Sequence, residues 1–83
     1  MDFENKAALI AFIKHQCGVT LSNEEGFLNE QDRLLYTQIP RQHKSKVLSV
    51  LNKHSIEHNE HVNGNYWLYL DNGKERSGKY ESL

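Results

Sequence analysis

The chain has 83 residues, 37% of them hydrophobic, and a formal charge of −1. That length holds one domain and no second core, and so small a domain buries only about 60% of its extended surface, so nearly every large apolar side chain must contribute. Cys17 is the lone cysteine, which excludes an internal disulfide and fits a reducing compartment, and the longest apolar run, Ala7 to Ile13, is far too short to span a bilayer. The near-neutral total hides a division: residues 1–37 sum to −3, residues 38–62 to +2, and the remainder balances. The N-terminus begins acidic and lacks a cationic region with a small-residue cleavage site, so no secretory signal is expected and a cytoplasmic location is the default.

Asp2 is positioned to cap a first helix with Glu4 in its first turn, both favourable near the positive end. Phe3, Ala7, Ile10, Ile13 (or Lys14) and Cys17 then recur at the helical period, Leu9 and Phe12 widen the stripe, and Gly18 is the expected stop. Val19-Thr20-Leu21 reads as a brief strand able to pair along a hairpin edge. Ser22 and Glu25 stand at capping-box spacing, and Gly26-Phe27-Leu28 interrupts the pattern as a single turn or a loop. Asn29 is the better cap for a second long helix, with Glu30 and Asp32 in its first turn and Leu34, Leu35 and Ile39 as its apolar side, Tyr36 at the margin. Pro40 disfavours helical geometry in the residue before it, so the chain turns near Gln38-Ile39.

Pro40 also suits the first position of a third helix, where its missing N–H costs nothing. Val47, Leu48, Val50 and Leu51 make that helix's apolar stripe. Arg41, Gln42, His43, Lys44 and Lys46 crowd its first turns off the stripe, and Lys53 and His54 suit the negative end. Between Arg41 and Lys53 there are four cations and no carboxylate, the strongest local charge bias in the chain. Two helices meeting through a short turn, the second basic at its start, form a helix-turn-helix signal, though without glycine in the turn.

Residues 55–62 admit two readings. In the first, Ile56, His58, Glu60 and Val62 alternate with Glu57, Asn59 and His61 along a strand, and Asn63-Gly64 makes a two-residue turn with positive φ at both positions. Asn65 to Leu70 follows as an aromatic strand with Tyr66, Leu68 and Leu70 on one face and Trp67 and Tyr69 on the other. In the second, the helix runs on to Val62, and His54, His58 and His61 make an i, i+4, i+7 row able to hold a metal such as zinc. The strand of Trp67 needs a partner, which favours the hairpin. His58 and His61 then point to opposite faces, so no metal or other cofactor is expected. Asp71 to Lys74 is another turn, and Glu75 to Leu83 reads as a mobile tail or second loop with a weak strand around Lys79-Tyr80. The domain is therefore placed at residues 1–71 and the polar tail at 72–83.

Helix, short strand, helix, helix, strand, tight turn, aromatic strand, polar tail: this order, with RQHKSKVLSVLNKH followed by NGNYWLYL, resembles the winged helix-turn-helix superfamily. The resemblance implies a small α+β domain of three helices with a C-terminal β-hairpin, in the order α-β-α-α-β-β. It also implies that Gln42 to Lys46 begin a recognition helix and that Asn63-Gly64-Asn65 form a wing tip.

The leading expectation is a non-enzymatic binding module of transcription-regulator type that takes duplex DNA. Arg41, Lys44 and Lys46 have the chemistry to neutralise phosphates, and Gln42 and His43 can read base edges from a helix start. Asn63 and Asn65 lie at the wing, with Lys74 and Arg76 beside it for backbone contact. The alternative is a protein-interaction or adaptor module, with Trp67, Tyr69 and Phe27 as aromatic anchors, or self-association through the hairpin edge. Catalysis is not expected: His15 and Cys17 are two apart on a helix and do not face each other. No phosphate-cradling loop, nucleophile elbow or small-molecule site is evident.

Overall fold

A computed structural model describes residues 1–24, 26 and 33–71. They form α1 (Lys6–Cys17), β1 (Leu34–Gln38), α2 (Arg41–Lys53), β2 (His58–Glu60) and β3 (Asn65–Tyr69). β3 is the middle strand, antiparallel to β1 on one edge and to β2 on the other. Leu35, Tyr66 and Leu68 from one sheet face join Leu9 and Ile13 of α1 and Val47 and Leu51 of α2 in a single core. The domain is thus α+β, two helices over a three-stranded antiparallel sheet among the described residues.

The first helix starts later than its acidic residues imply. Asn5, not Asp2, is the cap, its Oδ1 accepting from the Ala8 N–H at 2.8 Å. Phe3 is buried and its N–H donates to the Leu70 carbonyl at 2.9 Å, which ties the chain before Asn5 to the end of β3. Gly18 ends the helix as expected, at φ 76, with its N–H on the Lys14 carbonyl. Leu9 and Ile13 are the buried residues, while Ala7 faces solvent. Val19 and Leu21 are buried but form no strand. It is the next residues that lie along β1: the Glu24 N–H donates to the Tyr36 carbonyl at 2.9 Å and the Gln38 N–H to Ser22 Oγ at 3.1 Å.

The largest departure is at Leu34–Gln38, expected as the end of a second long helix and found as β1. The proposed cap Asn29 and first turn lie outside the described residues. Two adjacent leucines fit either period, so the pattern alone does not arbitrate. What arbitrates is β3, whose backbone has two edges to satisfy. β2 covers one, and Leu34 to Gln38 pairs with Tyr69 to Asn65 along the other. Leu35 and Thr37 then face the core with no exposed surface. The helix-turn-helix pair is therefore replaced by a strand leading through Ile39-Pro40 into α2.

α2 begins at Arg41, with Pro40 one residue earlier than expected, at the cap. Its far end settles the two readings of residues 55–62. Ser55 adopts φ 56, its N–H donates to the Asn52 carbonyl, and the Ile56 N–H reaches back to the Leu51 carbonyl at 2.8 Å. This is a Schellman stop, with Ile56 and Leu51 both buried beside it. A serine occupies the left-handed position that glycine normally takes, which hid the stop in the sequence. Ser55→Gly is expected to raise stability by about 0.5–1 kcal/mol, relief of the left-handed conformation exceeding the added unfolded-state entropy. A urea midpoint unchanged or lowered would contradict that conformation.

The hairpin turn has the expected geometry, with Asn63 at φ 51 and Gly64 at φ 84, and the Asn65 N–H on the Val62 carbonyl at 2.8 Å. The ladder, however, pairs Glu60 with Tyr66 and His58 with Leu68. With the His61 N–H on the Asn65 carbonyl, His61 and Val62 together oppose Asn65 as a β-bulge. Tyr66 and Leu68 face the core, and Trp67 and Tyr69 face away from it, half-buried.

Candidate nucleic-acid interface

The start of α2 and the hairpin turn are held together by the backbone. The Ile39 N–H donates to the Gly64 carbonyl at 2.9 Å, so the turn is pinned beside the linker that feeds α2. Between them lies a cleft of about 400 Å³ lined by Gln38, Arg41, Lys44, Glu60, Asn63 and Gly64, with Ile39 and Pro40 at its floor. The cationic helix start and the supposed wing tip are therefore neighbours.

Arg41, Gln42 and Lys46 are exposed, and neither cation makes an ion pair among the described residues. Lys44 does: its Nζ is 3.7 Å from Glu60 Oε2 and 6.0 Å from the centre of the Tyr66 ring. The Tyr66 phenol first, and the Glu60 carboxylate after it, hold Lys44 above the usual lysine range. Its contribution to stability is therefore present at neutral pH and is lost only as the pH rises through that raised value. His43, a candidate base reader, is instead half-buried, with an Nδ1 that is inaccessible and has no hydrogen-bond partner. Gln42 Nε2 lies 3.5 Å from the other ring nitrogen. Of the five helix residues only His43 is thus turned in; Arg41, Gln42 and Lys46 are exposed, and Lys44 is half-exposed but paired with Glu60.

Asn63 is exposed at the turn, but Asn65 belongs to the sheet, its Nδ2 donating to the Tyr36 hydroxyl at 3.2 Å. Lys74, Arg76 and Phe27 lie outside the described residues. The histidine row is dispersed: His54 packs edge-on to Phe12 at 4.9 Å, His58 Nδ1 meets the Ile56 carbonyl at 2.8 Å, and His61 sits across the sheet. Among the described residues no group of His, Cys, Asp or Glu is placed to hold a metal.

A second surface joins the expected anchors Trp67 and Tyr69 to residues that no local pattern singles out. Register puts Leu34, Tyr36 and Gln38 of β1 on the same outer face as Asn65, Trp67 and Tyr69 of β3, with Asn59 opposite Trp67. The bulge delivers His61 to that face, where its Nδ1 lies 2.6 Å from the Tyr36 hydroxyl. The same hydroxyl accepts from Asn65 Nδ2 at 3.2 Å. The Tyr36 and Trp67 rings lie 4.7 Å apart, and the Tyr69 hydroxyl accepts from Asn59 Nδ2 at 3.4 Å. A plain two-residue turn would set Glu60 opposite Trp67, so Asn59 and His61 could be found beside Trp67 only once the bulge was known, and Tyr36 and Gln38 only once β1 was known.

No protein-family model, curated protein or solved structure matches the chain. No helix among the described residues is long and apolar enough to cross a membrane.

Proposed function

We propose that this chain is a small, non-enzymatic, cytoplasmic nucleic-acid-binding module of regulator type, engaging duplex DNA through the start of α2 and the hairpin turn. The observation that carries this reading is the pinned placement of exposed Arg41, Gln42 and Lys46 beside Asn63-Gly64. What supports the reading is a basic helix start standing beside a hairpin turn, with central β3 behind them. Arg41 and Lys46 act on phosphates and Gln42 on a base edge. Exchanging both Arg41 and Lys46 for alanine is expected to weaken duplex binding across sequences and to flatten the dependence of log K on log salt by roughly 2. Gel shifts at several salt concentrations measure this, and an unchanged slope would remove the helix start from the interface.

A second reading, a protein-interaction module, is favoured by the half-exposed Trp67 and Tyr69 on the outer sheet face. Solution mass and pull-down with a Trp67 variant test it.

A further inference from the structure

The outer face of the sheet has an unusual composition. Among the described residues its side chains are Leu34, Tyr36, Gln38, Asn59, His61, Asn65, Trp67 and Tyr69, four rings and three primary amides, and its one carboxylate, Glu57, stands opposite Tyr69 at the end away from Arg41. Gln38, Asn59 and His61 are exposed, and Trp67 is half-exposed beside them. An apolar protein partner seated here would strip water from the Gln38 amide and from the amide oxygens of Asn59 and Asn65, whose nitrogens alone are bonded among the described residues, to Tyr69 and Tyr36. An acidic peptide would find no cation on the face. A nucleobase offers both of the needed surfaces, a π-face for the indole and an edge of donors and acceptors for the amides.

The face also leads to positive charge. Gln38 belongs to it and lines the α2 cleft as well, so the row of rings and amides runs directly to Arg41. From Asn65 to Tyr69 the central strand rises roughly 13 Å, space for about two splayed bases. The geometry points to an assignment: the outer face binds unpaired bases of a single-stranded nucleic acid, and the strand's phosphates continue onto Arg41 and Lys46. This rests on the reading of the α2 start as a phosphate-binding surface and extends it to a ligand with a single-stranded portion.

Trp67 is the sole tryptophan, so its emission reports on this face alone. The full chain is titrated with an oligothymidylate of about ten nucleotides and, separately, with a blunt duplex. Single strand is expected to quench Trp67, and Asn59→Asp, exposed and outside the α2 cleft, to weaken single-strand affinity by roughly fivefold while leaving duplex affinity within about twofold. Trp67→Phe, which keeps a ring in the sheet, should weaken single-strand binding as well. Duplex binding without single-strand binding or quenching would overturn the assignment while the proposed function stood. Single-strand binding indifferent to both the Asn59 and the Trp67 exchanges would overturn it too. Unaltered affinities after the Arg41 and Lys46 exchanges would instead overturn the phosphate-binding reading. Self-association that shields Trp67, with no response to either oligonucleotide, would hand the face to a protein partner and sink both.

Discussion

Leu68→Ala is expected to destabilise the domain by about 3–4 kcal/mol, the largest effect of any single exchange considered for this chain. Leu68 is 0% exposed in the middle of the central strand, with Leu35 beside it on β1 and His58 on β2. The helix residues Val47 and Leu51, in the same cluster, close the space above it. Truncation removes the transfer free energy of the lost carbons and leaves a cavity that two flanking strands and a helix can fill only by giving up their own register. A domain of this length has roughly 4–12 kcal/mol of total stability, so a substantial unfolded fraction is expected at physiological temperature. Urea unfolding followed by Trp67 emission measures the change. A loss below about 1 kcal/mol would mean that β3 does not sit between β1 and β2 as described, because an edge strand could relax around the gap.

The second large effect is expected at the clasp between Arg33 and Asp71. The Arg33 guanidinium donates through Nε to both Asp71 oxygens at 3.2 Å and through Nη2 to Oδ1, and its other donors reach the carbonyls of Phe3 and Glu4. The Asp71 side chain is 7% exposed and that of Arg33 31%. One cation therefore joins the segment before α1, the start of β1 and the end of β3. Arg33→Ala withdraws the cation from a buried carboxylate and two donors from the N-terminal carbonyls, with an expected cost of about 3 kcal/mol, the low end for breaking a buried pair because the arginine is partly solvated. Asp71→Asn, which keeps the shape, should cost less. Hydrogen exchange separates this from general loosening: the Phe3 N–H, bonded to the Leu70 carbonyl, should open first. If Phe3 exchanges no faster in the alanine variant, the clasp does not hold the N-terminal segment.

Both residues show how far the sequence could be read. Arg33 and Asp71 lie 38 positions apart, and nothing in their local patterns joins them. Read locally, Arg33 belonged to an acidic helical stretch and Asp71 to a turn. The aromatic run around Trp67 was different, since alternation over Tyr66 to Leu70 assigns each side chain a face before any partner is known. The same alternation left Tyr36 invisible as a companion of Trp67, because the companion strand had been read as helix. For the candidate site, Arg41, Gln42, Lys46 and Asn63 stayed outward as expected. His43 turned inward because it shares the helix face of the buried Val47 and Leu51, and Lys44 found Glu60 on the hairpin.

What this sequence determines alone is what short-range sterics and periodicity control. Pro40 ahead of a 3.6-residue apolar stripe makes α2, Gly18 stops α1, and Asn63-Gly64 supplies the two positive φ angles of the hairpin. What only the tertiary structure decided is the fate of Leu34 to Gln38 and the place of the bulge. Leu-Leu-Tyr-Thr-Gln is compatible with helix or strand within a few tenths of a kilocalorie per residue, too little to choose. The unsatisfied backbone edge of β3, formed by residues thirty positions away, is worth more than that preference, and it made the choice.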